Sequence, residues 1–195
     1  MSNVRRHAII PATCKVKNFF VITGASGSGK STLIAALAAL GYASIGEVGR
    51  NIVREQLAVG GRILPWIDQP AFMEEVLARN IADHKAALSQ KGLVFFDRGV
   101  PECIAWAQLL ALGVQPHHRS AAALYRYNQT VFVTEPWPER YLTDLERRES
   151  FEVAVRAFEP TVEAYSECGY RLLVVPKVAV AERVEFVLRH ATNDA

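Results

Sequence analysis

The 195-residue sequence predicts an α/β fold: a five-stranded parallel sheet with helices on both faces, in three layers. Three observations carry that prediction. Short apolar runs recur at 19–23, 42–45, 93–97, 130–134 and 171–175, and stretches of helical spacing separate them, the alternation that builds a parallel sheet with crossover helices. The central runs, Phe19-Phe20-Val21-Ile22-Thr23 above all, are apolar on both faces, as strands covered by two helical layers must be. A glycine-rich turn joins that first run to a helix made of alanine and leucine. Right-handed crossovers then bring the carboxyl ends of the strands, where ligands bind, to one edge of the sheet.

The elements follow in order. Residues 1–17 lack periodicity and read as a leader or peripheral strand; Ala8-Ile9-Ile10 is too short for a signal-peptide core. Gly41 ends the first helix and Tyr42–Ile45 forms the second strand. A helix with Ile52, Val53 and Leu57 on its apolar side is broken by Gly60-Gly61. Leu64–Pro70 reads as a loop, and Phe72–Gln90 as a long helix. Leu93–Asp97 is the third strand, ended by a carboxylate. Pro101 opens a helix to about Leu112, and Ser120 is expected to cap another to about Tyr127. Thr130–Thr134 is the fourth strand. A charged segment, Glu135–Ser150, leads into an amphipathic helix, Phe151–Cys168, with a bend expected at Pro160. Arg171–Val175 and Val180–His190 complete the chain as strand and helix. The length fits one domain over 1–195.

Bulk properties exclude several classes. Half of the residues are hydrophobic, enough for a core, and the net charge of +2 is too small to argue for nucleic acid. No stretch is long and apolar enough to span a membrane. Cys14, Cys103 and Cys168 are odd in number and far apart, which suggests reduced thiols and a cytoplasmic setting.

The chemistry begins at Gly24-Ala25-Ser26-Gly27-Ser28-Gly29-Lys30-Ser31, the G-x-x-x-x-G-K-S spacing of a phosphate-binding loop. Inward-turned backbone N–H groups bind a triphosphate only where no Cβ blocks the approach, hence Gly24, Gly27 and Gly29. The helix from Lys30 aims its positive dipole end at the same oxygens. Lys30 reaches the β and γ phosphates, the Ser31 hydroxyl is placed to ligate Mg²⁺, and Thr32 adds a phosphate contact. Asp97, ending an apolar strand, is the second candidate metal ligand.

Four further sets of residues surround this loop in the predicted topology. Arg98 follows Asp97 directly, with no Asp-Glu pair of the kind used to activate water. Glu47 and Arg50, with Arg54 one turn on, follow the second strand; Glu47 is a candidate base and Arg50 a candidate anion ligand, against an ordinary helix start with solvated arginines. Trp66 and Asp68 stand in a proline-bounded loop that could line the same cleft. Arg140 and Arg147 share a face of the charged segment and suit a lid, although Asp144 and Arg148 would equally make a salt-bridged surface helix. His117-His118 reads as exposed loop with no carboxylate at metal-binding spacing.

Taken together, Gly24–Ser31, Glu47-Val48-Gly49-Arg50, Leu64-Pro65-Trp66, Phe95-Phe96-Asp97-Arg98-Gly99 and Glu146-Arg147-Arg148-Glu149 resemble the bacterial predicted ATPases, or AAA-domain P-loop proteins. That family is similar to nucleotide and small-molecule kinases. The resemblance covers roughly residues 18–190 and implies a P-loop, nucleotide-kinase-like fold with ATP and Mg²⁺ as cofactors. In small kinases of this kind an arginine such as Arg98 helps hold phosphates, residues 46–90 face the acceptor, and the lid at 135–155 closes on the donor. The resulting expectation is a Mg²⁺-dependent kinase acting on a small hydroxyl- or phosphate-bearing acceptor, with Lys30, Asp97, Arg147 and Glu47 carrying the chemistry and Arg50 and Arg98 binding substrate. The alternative is an ATP or GTP hydrolase or nucleotide-dependent switch. The sequence has no Asn-Lys-x-Asp and no Leu-Ser-Gly-Gly-Gln, the signatures of ordinary GTPases and transporter ATPases, and no aromatic–basic groove for nucleic acid.

Overall fold

Strand residues sort by parity onto the two faces of the sheet. The structure, a computed structural model, describes residues 16–141 and 150–194. In the first strand, β1 (Phe19–Gly24), Phe19 and Val21 enter one apolar cluster while Phe20 and Ile22 enter the other. The strand Val94–Asp97 (β3) sends Val94 and Phe96 to the first cluster and Phe95 to the second; Thr130–Thr134 (β4) splits Val131 and Val133 from Phe132 in the same way. The period of two is the pleat, and two buried faces explain why these strands carry no polar alternation. With Ala43–Ile45 (β2) and Arg171–Val174 (β5) they form one parallel sheet in the order β2-β3-β1-β4-β5.

Helices α1 (Lys30–Ala39) and α7 (Val180–Asp194) cover one face, with Leu33, Leu37 and Val187 fully buried against Phe20 and Phe132. The other face is covered by α3 (Gln69–Ala87), α4 (Glu102–Leu109), α5 (Pro116–Leu124) and α6 (Phe151–Glu167). Helix α2 (Val48–Val59) packs on α3 beyond the β2 edge. This is the predicted architecture: P-loop strand at the centre, the Asp97 strand directly beside it with Ile22 opposite Asp97.

Several boundaries differ, each for a local reason. Helix α3 starts at Gln69, three residues before the expected Phe72, because the Asp68 carboxylate caps it, accepting from Ala71 N–H at 3.1 Å, and Pro70 suits the first turn. It stops at Ala87. Helix α4 ends at Leu109, before the left-handed Ala111 at φ 53°. Ser120 is not a cap: α5 starts at Pro116, and Ser120 lies inside it with its hydroxyl donating back to Pro116 C=O at 3.0 Å. Leu57 is 40% exposed on the far side of α2, outside the core formed by Ile52 and Val53. Helix α6 runs through Pro160 without interruption.

The histidine pair is the largest correction. His117 and His118 sit in α5, and both imidazole Nε2 atoms meet the Glu74 carboxylate of α3, at 3.0 and 2.8 Å. His118 is fully buried, and its Nδ1 accepts the Gln115 N–H at 3.2 Å in a capping box. With Nδ1 accepting, neutral His118 carries its proton on Nε2 and donates to Glu74. The triad thus clamps α3 to α5; to present an Nε2 lone pair to a metal, His118 would have to give up its capping bond. No sequence period could reveal the clamp, since 43 residues separate Glu74 from His117.

Candidate active site

The loop between β1 and α1 is built by its neighbours as much as by its glycines. A Cβ on Gly24, at φ +121°, would lie 2.1 Å from the Thr134 carbonyl oxygen, so β4 excludes any side chain there. The same carbonyl accepts Ala25 N–H at 3.0 Å, and Ser28 Oγ donates to Ala25 C=O at 2.7 Å while lying 2.6 Å from Thr134 Oγ1. From the other side, Arg183 of α7 is 1% exposed and donates to Gly29 C=O at 3.3 Å and Ser28 C=O at 3.4 Å. Drawing those carbonyls outward turns the peptide N–H groups of the loop inward, the polarity an anion needs. Its Nε is buried with no partner among the described residues, and burial together with Arg140 lowers the guanidinium's proton affinity. Arg183 and Arg140 lie 5.7 and 4.6 Å from the ring centroid of Trp137, and the Tyr141 ring covers Gly27.

Lys30 is buried, its Nζ donating to Ala25 C=O at 2.6 Å and Gly24 C=O at 3.3 Å. Burial, then the nearby Arg98 cation, lowers its pKa to about 8, with Asp97, Glu47 and Glu102 opposing. Asp97 is 3% exposed; its Oδ2 accepts from Ser31 Oγ at 3.1 Å, while Oδ1 is buried without a partner among the described residues. Burial, followed by repulsion from Glu47, raises its pKa to about 6. A hard, all-oxygen pair beside the phosphate loop, one of its atoms orphaned, fits a divalent cation such as Mg²⁺. Ser26, Thr32 and the remaining loop residues lie where the motif predicts, Thr32 exposed in the first turn of α1.

Arg98 adopts the left-handed conformation, φ 71°, unusual for a residue with a side chain. That turn throws its guanidinium between two carboxylates: Nε lies 3.3 Å from Glu47 Oε1 and Nη1 2.9 Å from Glu102 Oε2. Glu102 is 1% exposed and also accepts from the Thr23 hydroxyl. Arg50 joins the network at 3.7 Å from Glu47. The predicted Glu47, Arg50, Asp97 and Arg98 therefore share one site with Lys30. Arg54 is exposed and donates to Asn51 Oδ1 at 3.4 Å. Asp68 serves as the α3 cap instead of lining the cleft. Arg147 lies outside the described residues. The sequence reading overlooked Glu102, Thr134, Trp137 and Arg183; only the acid four residues after Arg98, at helical spacing, left a trace that could have been used.

From this charged floor a cleft of about 120 Å³ runs between Gly24–Ser26 and the α2–α3 side, walled by Trp66, Phe72, Val76, Asn80 and Trp106. It adjoins a second chamber of about 420 Å³, the two sharing Phe72, Val76 and Trp106 as walls. Phe72, Val76 and Asn80 follow one another at four-residue spacing along α3, so a single helical stripe lines the cleft.

Comparison with known proteins bears on the fold and the family. The aliphatic sulfonates import ATP-binding protein SsuB 2 of Rhodococcus jostii is 30% identical over 176 residues, 87% of this chain and 70% of the relative. Deoxyadenosine kinase from M. mycoides superposes with a TM-score of 0.61 at 16% identity, over 90% of this chain and 98% of that one. The NadR protein in complex with NR superposes with a TM-score of 0.70 at 15% identity, over 91% of this chain and 51% of its own. At such identities the superpositions establish a P-loop kinase fold. An AAA domain matches residues 19–183, and the chain belongs to that family of P-loop ATP-binding proteins.

Proposed function

We propose that the protein is a Mg²⁺- and ATP-dependent phosphotransferase acting on a small hydroxyl- or phosphate-bearing acceptor. The observation that carries this reading is the walled cleft that begins at the phosphate loop and adjoins the second chamber across Phe72, Val76 and Trp106. Water activation needs no such space, whereas a chamber of about 420 Å³ falls within the roughly 300–1,000 Å³ of small-molecule sites. In this reading Lys30 and the loop N–H groups hold the triphosphate, and Ser31 and Asp97 hold Mg²⁺, which neutralises charge on the phosphate oxygens. Glu47, steadied by Arg98 and Arg50, takes the proton of the acceptor hydroxyl as its oxygen bonds the γ-phosphorus and the bond to the ADP oxygen breaks. A lid arginine, Arg147 in the sequence reading, adds positive charge as the segment 135–155 closes. Residues 1–195 then act as one domain in the cytoplasm. Among the described residues no helix is long and apolar enough to cross a membrane.

Likeness to a transporter ATP-binding protein favours the second reading, a hydrolase or switch working for a partner. ATP consumption with Mg²⁺, alone and against a panel of nucleosides, nucleotides, sugars and short oligonucleotides, separates the two, with Lys30→Ala as control. ADP formed only with an acceptor, together with a phosphorylated product, supports the kinase. Phosphate released at the same rate without any acceptor overturns it.

A further inference from the structure

Of the two polar, non-aromatic cleft residues outside the phosphate loop and the ion-pair network, Thr161 donates to Ala157 C=O at 2.8 Å, which leaves Asn80. It is 7% exposed, and its side-chain amide makes no hydrogen bond among the described residues. Once a ligand closes the cleft to water, a carboxamide left without a partner would cost about 1–3 kcal/mol. Here the amide lines the cleft, so a bound molecule can satisfy it. The aromatic residues Phe72, Trp66 and Trp106 line the same space. The five charged residues, Glu47, Arg50, Asp97, Arg98 and Glu102, lie towards the phosphate loop.

We infer that the acceptor is a nucleoside-class molecule: a planar heteroaromatic ring whose donor–acceptor edge pairs with the Asn80 amide, joined to a sugar whose hydroxyl meets Glu47 and Arg98. The inference rests on taking the cleft as the acceptor site. An amide offers one C=O acceptor and an NH₂ donor side by side, the complement of a ring nitrogen next to an exocyclic amine or of a ring lactam. Neither a monosaccharide nor an aliphatic alcohol presents such an edge on a flat ring, and neither would fill apolar walls. The flat faces of Phe72 and Trp106 suit a ring, and the second chamber behind them leaves room for a bicyclic base or a ring substituent. Trp66, which lines the cleft and is 39% exposed, would cover the ring once bound.

The test is direct binding, read separately from turnover. Titration calorimetry on the full chain would use adenosine, guanosine, cytidine, uridine, thymidine and nicotinamide riboside. The controls are free ribose and a phenyl riboside, which keeps ring and sugar but lacks the polar edge. At least one nucleoside should bind ten-fold or more tighter than both controls. Asn80→Leu, close in volume and apolar, should lose at least ten-fold for that nucleoside and leave the phenyl riboside unchanged or tighter. Asn80→Asp, which replaces the donor by an acceptor, should change which base binds best. Retained ATP binding and an unaltered unfolding midpoint establish that the variants fold. If no nucleoside outbinds the phenyl riboside, or if Asn80→Leu binds the nucleoside as wild type does, the inference falls. Nucleoside binding without phosphorylation would uphold the ligand class assigned to the cleft and overturn the kinase reading. Phosphorylation of an acceptor without such a ring would do the reverse.

Discussion

Glu102 offers the sharpest test of how the site is held together. It is 1% exposed, pairs with Arg98 at 2.9 Å and accepts from the Thr23 hydroxyl of the P-loop strand. Arg98 is itself in a left-handed turn, φ 71°, a conformation that costs about 1–3 kcal/mol and must be held by its surroundings. Glu102→Gln keeps an oxygen for Thr23 but removes the charge facing Arg98. A hydrogen bond to a charged group contributes about 1.5–3 kcal/mol against about 1 for a neutral one, so the loss should be about 1–2 kcal/mol. Glu102→Ala also strands the guanidinium with Glu47 as its remaining close carboxylate partner among those described, and breaking a buried pair costs about 3–5 kcal/mol. Urea unfolding followed by circular dichroism measures both. With a slope of about 2 kcal/mol/M, the midpoint should fall by roughly 0.5–1 M for Gln and 1.5–2.5 M for Ala, at unchanged slope. Arg98 in the Gln variant should lean towards Glu47 and blunt it as a base, lowering kcat more than it alters KM. Two midpoints within about 0.2 M of wild type would refute the reasoning, because a surface-like pair of that worth could not hold a strained turn.

Four other outcomes follow from the geometry. Lys30→Ala should abolish ATP consumption with the fold intact, and an active variant would contradict the P-loop mechanism. Because burial lowers the Lys30 pKa from its ordinary value of 10.5 to about 8, the unfolded chain binds the extra proton between those values, so its contribution makes the ligand-free protein more stable as pH rises through that window; Lys30→Met should remove the slope in a melting series. Asp97, raised to about 6, must lose its proton to ligate a cation, so Mg²⁺-supported activity should decline as pH falls through about 6, and Asp97→Asn should weaken the Mg²⁺ titration at every pH. Burial raises the Glu74 pKa, but the hydrogen bonds from His118 and His117 outweigh it and hold the group below the usual carboxylate range; Glu74→Gln should lower the unfolding midpoint near neutral pH, with the difference from wild type vanishing as acid protonates Glu74. Equal midpoints near neutral pH would show the clamp between α3 and α5 to be inert.

By itself the sequence determined whatever is local or periodic. Apolar runs such as Phe19–Ile22 and Thr130–Thr134 can be satisfied only between two helical layers, so strand number, order of elements and the parallel sheet were readable. The G-x-x-x-x-G-K-S spacing was readable because phosphate binding requires glycines and a lysine at fixed offsets. Strand-end positions placed Asp97, Arg98 and Glu47 near that loop for the same reason. Tertiary structure decided what depends on distant partners. Thr134 forbids a side chain at Gly24 from 110 residues away in sequence, and Arg183 fixes the loop carbonyls from the last helix. His118 became a buried clamp only because α3 delivers Glu74 to it. Asn80 looks in the sequence like one more polar residue on a long helix. Its place in the cleft wall with no hydrogen bond among the described residues, which only packing creates, is the observation behind the role proposed for it.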